Sequence, residues 1–333
     1  MKPILLKFSA IISSVLVLTT LLHAKVEPIP SFMGDWQGGW VDAPKKDGNA
    51  KNNPGLVARV IGLGNDRFEI QMFEEFDKRA AYLVKTEATL KNGKLKFDEG
   101  GFVGEIGDSS FVGKKTSKDL VTGFSLKRVH RQSPTIGLRA PADAVVLFGG
   151  KNMDAWLHSE GNTATWTVKD GIAEILPKGD NNENGGSIST RQKFGDIKVH
   201  LEFNLPYEPT GRGQGRGNSG FFVPGGYEIQ ILDSYGLGGL WNECGALYKQ
   251  MPPQVNMCFA PGVWQTYDIE FTQPRFDSHG NKLADAVITV LHNGKLIHNQ
   301  VALNGTTSNT QMGRLKAEKG EPGTLSLQDH KHK

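Results

Sequence analysis

Residues 217–236 read GNSGFFVPGGYEIQILDSYG. The stretch opens as a glycine-rich loop and becomes an alternating strand. Glu228 and Gln230 share one face, while Tyr227, Ile229 and Ile231 share the other. The apolar face suits a core. An acid beside an amide on the opposite face suits a lined binding surface or a solvated sheet. The same period recurs at Asp196–Leu205, where Ile197, Val199, Leu201, Phe203 and Leu205 alternate with Lys198, His200, Glu202 and Asn204. Val287–Leu291 runs through His292-Asn293-Gly294 into Lys295–His298, and Asn-Gly between apolar runs is a strong hairpin signal. Asn92-Gly93 and Asp170-Gly171 repeat it. With 41 glycines in 333 residues and no long segment of helical period after residue 24, the sequence predicts a mostly-β protein, a sandwich or a barrel.

Outward from that stretch the chain divides. Residues 131–144, RQSPTIGLRAPADA, have no period and carry two prolines, as a linker would. Before them, residues 25–130 read as a small β-domain with strands near Phe68–Phe73, Ala80–Leu90 and Lys94–Phe97. Its Trp36 and Trp40 are expected in a core, with a sugar platform as the alternative. Residues 145–333 form the larger domain. Residues 1–24 read as a signal peptide: Lys2 and Lys7, the apolar Ala10–Leu22, then Leu22-His23-Ala24 as a cleavage site, with no cysteine after it for lipid attachment. A membrane anchor is the alternative, but the run is short and dotted with hydroxyls. The expectation is a soluble exported protein, periplasmic or secreted, without membrane contact once cleaved.

Lys plus Arg number 38 and Asp plus Glu 35, a net charge of +3, so no general attraction for nucleic acid is expected. Arg212 and Arg216 in the glycine-rich loop read as a solvated loop or as contacts to a hydroxyl-rich or anionic ligand. The two cysteines, Cys244 and Cys258, predict a disulfide in an exported protein, with two buried thiols as the alternative. Two cysteines with one histidine nearby argue against structural zinc.

No G-x-S-x-G, P-loop, dinucleotide or H-E-x-x-H motif is present. Ser219 reads as a turn serine beside Asn218. Polar groups gather at Glu228, Gln230 and Asp233; at Tyr248 and Asn256; at Asp268, Glu270 and Arg275; and at His292-Asn293 with Gln328-Asp329-His330. Singly, each has an ordinary structural reading. Together, aromatic faces beside carboxylates and amides suit a sugar.

In order along the chain, NSGFFVPGGYEIQILDSYG, NECGALYKQMPPQVNMC, WQTYDIEFTQPRFD, HNGKLIH and LSLQDH resemble the 3-keto-disaccharide hydrolase family, whose members are also described as 3-keto-glucoside lyase/hydratase domains. The resemblance covers about residues 145–330. It implies an all-β concanavalin A-like jelly-roll sandwich, here preceded by a small N-terminal β-domain, with ligand across the concave sheet. Members usually continue past Leu-Gln-Asp-His with a further strand; here three residues follow.

The resemblance further implies a glycoside or oligosaccharide substrate oxidised at C3. The ketone acidifies the C2 proton; a base removes it, the C1 substituent leaves, and water can add back. Glu228 or His292 is the expected base and acid. Arg275 or Asn256 would hold the oxyanion. Asp233, Gln230, Tyr248 and Gln328 would meet hydroxyls, with Asn218, Ser219, Asn293, Asp329 and His330 lining the site. A divalent cation such as calcium would suit carboxylate and carbonyl oxygens, though no spacing demands one. The rivals are a lectin-like binder and an ordinary two-carboxylate glycosidase. The latter favours E-x-D-x-x-E, whereas Glu228 is followed by Gln230 and then Asp233.

Overall fold

The computed structural model describes residues 28–41, 55–118, 120–179, 183–307 and 318–332; the expected signal peptide lies outside them. Eight antiparallel strands come first: β1 (Gly34–Val41), β2 (Leu56–Gly64), β3 (Arg67–Phe73), β4 (Val84–Thr89), β5 (Leu95–Glu99), β6 (Phe102–Ile106), β7 (Phe111–Ser117) and β8 (Leu120–Arg128). They form one sheet in the order β4-β3-β2-β1-β8-β7-β6-β5, with β1 paired to β8 and the β4–β5 edges joined at the Lys91–Lys94 bridge. The meander thus curls round its own core of Leu56, Val60, Ile70, Met72, Phe102, Phe111 and Leu126. Asn92 and Gly93 both take positive φ, 52° and 73°, as the predicted hairpin turn requires. Trp36 is a core residue, its indole N–H donating to the Phe32 carbonyl at 2.9 Å, and Trp40 packs on Phe102 and Phe124.

The second part contains β9 (Trp156–His158), β10 (Thr167–Lys169), β11 (Ile172–Glu174), β12 (Ile188–Thr190), β13 (Ile197–Phe203), β14 (Ser219–Val223), β15 (Tyr227–Ile231), β16 (Gln265–Thr272), β17 (Arg275–Phe276), β18 (Lys282–Ala284), β19 (Ala286–His292), β20 (Lys295–Leu303) and β21 (Ser326–Leu327). A five-stranded sheet, β15-β14-β21-β12-β9, faces a four-stranded sheet, β13-β16-β19-β20. Phe221, Tyr227, Ile229 and Ile231 from the first meet Tyr267, Ile269, Phe271, Ile288 and Val290 from the second in one core. Each such side chain contributes about 1.5–3 kcal/mol by leaving water. The protein is therefore all-β, with a jelly-roll-type sandwich preceded by a β-domain, as the sequence predicts.

Alternation at β15 then decides the site. With Tyr227, Ile229 and Ile231 in the core, Glu228 and Gln230 must point from the sheet's other face. Residues 245–248 add to the β15 edge through Gly245 N–H to the Gln230 carbonyl and Gln230 N–H to the Ala246 carbonyl, each at 2.9 Å, and through Tyr248 N–H to the Glu228 carbonyl at 3.0 Å. Residues 133–135 lie against β16, where the Ser133 hydroxyl is 2.6 Å from that of Thr266 and Thr135 donates to Asp268 at 2.8 Å.

Candidate functional site

Register pairs Gly220 with Gln230, and Phe222 with both Glu228 and Ser326; Ser326 in turn pairs with Ser189. These side chains occupy the face turned away from the core. The Ser189 and Ser326 hydroxyls are 2.7 Å apart, and Gln328 bonds to the Gly220 carbonyl through its N–H. Gly220 matters for space. A methyl there would sit 2.5 Å from Glu228 Oε1, so the glycine opens the gap that the carboxyl fills.

Glu228 is 4% exposed. Burial pushes its carboxyl up to about 7, and the nearby Lys249 ammonium only partly offsets this. Tyr248 stands beside it on the added edge, its phenol raised by burial and by the Glu228 charge. The Tyr248 ring packs 5.9 Å from that of Trp241, while the Lys249 ammonium lies 5.5 Å from the Tyr248 ring centre. Gln230 donates to Gln214 Oε1 at 3.0 Å; Gln214 donates to the Asn242 carbonyl at 2.8 Å and accepts on its own carbonyl from Asn218 at 2.8 Å. A tight turn at Gly213–Gly215 thereby links the glycine-rich loop to the Trp241–Tyr248 rim. Asn218 Oδ1 and Arg216 Nη2 are buried polar atoms that lack a protein partner.

Glu228, Gln230, Tyr248, Asn218 and Gln328 therefore come together. Other expected residues do not join them. His292 is in phase with Ile288 and Val290, so it faces the core, fully buried, with Tyr267 and Phe203 against its ring. Its Nε2 pairs with Gln265 Oε1 at 3.0 Å, and burial drives its pKa down to about 3. A histidine so placed is a packing residue, not a base. Arg275 lies on β17, outside both main sheets, and bonds to the exposed Asp196 at 2.5 Å, so it holds no oxyanion here. Asn256 donates to the Ser234 and Leu237 carbonyls and accepts from the Cys258 N–H, which consumes its amide in shaping a loop. Asn293 is likewise spent on Met257 and Thr266.

Asp233 is buried and bound to Arg216 at 2.5 Å; burial raises its pKa and the guanidinium opposes this. The pair braces the loop through Nε, so Arg216 is not a solvated side chain. Arg212 instead donates to the Leu63, Pro209 and Gly211 carbonyls. Ser219 donates to the Gln328 carbonyl, which makes it structural. Asp329 accepts from the Lys178 and Lys331 N–H groups, and His330 is exposed and stacked on His332. Cys244 and Cys258 are free thiols, not a disulfide: both are buried, Cys244 lies 3.2 Å from the Tyr267 hydroxyl, and Cys258 lies within reach of the Phe259 carbonyl. Among the described residues, no three His, Cys, Asp or Glu side chains are clustered to hold a metal.

Trp241, Lys249 and Gln214 are site residues that the sequence reading passes over. Trp241, an aromatic residue after Gly238-Gly239-Leu240, was the available signal; Lys249, at φ 64°, is placed by a turn with no sequence mark of its own.

The 3-keto-alpha-glucoside-1,2-lyase-like domain matches residues 143–333, more than half of the chain. The chain belongs to this family. A solved structure of a "putative glycosyl hydrolase" from Parabacteroides distasonis is 38% identical, covering 58% of this chain and 79% of that one, with a TM-score of 0.53. A second protein so described from the same organism is 19% identical over 56% of this chain and 88% of that one, with a TM-score of 0.37. No curated protein matches. Membership in the 3-keto-glucoside-lyase-like family supports a carbohydrate-active enzyme, and the family's match contains Glu228 and every element of the face around it.

Proposed function

We propose that this protein is an exported enzyme, periplasmic or secreted, that cleaves 3-keto-glycosides by eliminating the substituent at C1. The observation that carries the reading is Glu228: a carboxyl in a gap on the sheet face turned away from the core, beside Tyr248, with its pKa pushed up to about 7. A base poised there at neutral pH is matched to a proton made acidic by a neighbouring ketone. Glu228 takes the C2 proton, and the C–H electron pair forms the C2=C3 enolate. Return of the C3=O bond moves a pair into C1=C2 and expels the C1 oxygen, which leaves as an alcohol after taking a proton. Addition of water across C1=C2 makes the net result hydrolysis. Tyr248 and Lys249, both electrostatically coupled to Glu228, are assigned to steady the enolate and protonate the leaving oxygen.

A two-carboxylate glycosidase needs a second available acid. Gln230 and Gln328 take the neighbouring positions on this face, and Asp233 is bound to Arg216. The description of the 38%-identical relative as a glycosyl hydrolase agrees with action on a glycosidic bond. The test is to incubate the protein with a 3-keto-disaccharide and with its unoxidised parent. Release of the second sugar from the oxidised compound alone, with an unsaturated keto product, is expected. Cleavage of the parent would replace the reading with an ordinary glycosidase, and binding without turnover would replace it with a lectin.

A further inference from the structure

Arg79 lies between β3 and β4, in the N-terminal sheet's part of the chain, yet its guanidinium is bound wholly to the other part. Nε donates to the Gln254 carbonyl at 2.9 Å, Nη1 to Gly238 at 2.8 Å, and Nη2 to Gly239 and Pro253, each at 2.8 Å. Those four carbonyls are the two ends of one excursion, residues 238–254. Between them lie Trp241, the edge segment 245–248 and Lys249, which together form the rim beside Glu228. A guanidinium offers five N–H donors in a rigid planar fork, which an ammonium on a flexible stem cannot reproduce.

Among the described residues, the other side-chain hydrogen bonds between the two parts sit elsewhere. Gln71 donates to the Gly236 carbonyl, Tyr235 to Asp35, and Arg212 to the Leu63 carbonyl, all outside residues 238–254. Docking of the two parts and closure of the rim therefore rest on different residues. We propose that Arg79 is a positioning residue of the glycoside site: by tying Gly238-Gly239 to Pro253-Gln254, it sets Trp241 and Tyr248 beside Glu228, so that the N-terminal domain completes the sugar site. Activity effects of this kind rest on the keto-glycoside reading above; the bracing of the rim does not.

The test compares full-length wild type, Arg79→Ala and Arg79→Lys by amide hydrogen exchange and by steady-state kinetics on a 3-keto-disaccharide. Arg79→Ala is expected to speed exchange across residues 238–254 by about tenfold or more, leaving β13 and β16 at wild-type rates, and to raise KM about tenfold and lower kcat as well, because Tyr248 and Lys249 lie on the loosened rim. Arg79→Lys is expected to resemble Arg79→Ala, because charge without the fork spans too few carbonyls. A general loss of stability would instead speed exchange throughout. Wild-type exchange in residues 238–254, or faster exchange there with unchanged KM, overturns the proposal, and so does full recovery by lysine. If Arg79→Ala does not fold, the same comparison rests on Arg79→Lys. Absence of turnover by wild type refutes the keto-glycoside reading and leaves the bracing of the rim to be decided by exchange.

Discussion

Glu228 has opposite requirements in its two protonation states. The neutral acid suits its buried gap, whereas the carboxylate is the form that takes a proton. An unfolded glutamate releases its proton near 4.5, and the folded one holds it to about 7. Between those values the native state binds more protons, so stability falls as pH rises through that window. The contribution is complete below 4.5 and lost above 7, a change of about 3 kcal/mol. Glu228→Gln removes the ionisation and keeps the shape. It is expected to melt like wild type at pH 4, to be more stable by up to about 3 kcal/mol at pH 8, and to lose about a hundredfold or more in turnover. Denaturant titrations at the two pH values check this; a variant with no gain at pH 8 would mean that Glu228 ionises as an ordinary surface acid. Gly220→Ala probes the same gap from the opposite strand. Its methyl would meet Oε1 at 2.5 Å, so turnover should fall sharply while the core behind, which Gly220 does not face, stays packed.

At the level of the element, strand period places residues that chemistry alone misplaces. In β19, Ala286, Ile288, Val290 and His292 alternate with Val287, Thr289 and Leu291, and the buried set ends in His292. That phase was visible in the sequence and outweighs the catalytic repute of histidine. His292→Ala should therefore cost about 2–4 kcal/mol through the cavity left beside Tyr267 and Phe203, with turnover per folded molecule retained. With its pKa at about 3 when folded and 6.5 when unfolded, His292 destabilises the native state as pH falls through that interval, and the variant should lose this share of acid sensitivity. A stability profile from pH 7 to 4 measures it. Hairpins at Asn92-Gly93 and Asn293-Gly294 were equally legible, because positive φ restricts residue choice. Loop placements were not. Asn256 looks like a ligand amide until Ser234 and Leu237 consume it, and Tyr248 reaches Glu228 through the pairing of residues 245–248 with a strand far back in sequence. The Arg216–Asp233 pair was likewise hidden. Asp233→Asn would leave a buried guanidinium without its counter-charge and should cost about 3–5 kcal/mol, readable as a shift in the denaturation midpoint.

For the whole molecule, the decisive stretch has a second role at its last two residues. Tyr235 and Gly236 leave the sandwich and enter the N-terminal domain. The Tyr235 hydroxyl donates to Asp35 at 2.8 Å, Gln71 donates to the Gly236 carbonyl at 2.7 Å, and Tyr235 joins Met33, Ile61 and Ala260 in a shared apolar cluster. The strand that carries Glu228 is thus continuous with the contact between the two parts, so unfolding of one should withdraw support from the other. Wild type is expected to show a single calorimetric transition. Gly236→Ala strikes the junction without touching the site. Gly236 has φ +78°, and an added methyl would lie 2.2 Å from Ile61 Cδ1, so the substitution both strains the backbone and wedges the two cores apart. It should cost about 2 kcal/mol or more and separate the transition into two, because each part keeps its own hydrophobic cluster once the contact is lost. Scanning calorimetry distinguishes the outcomes: two well-separated transitions already present in wild type, or a Gly236→Ala protein that melts as wild type does, would show that the parts fold independently and that the junction transmits nothing.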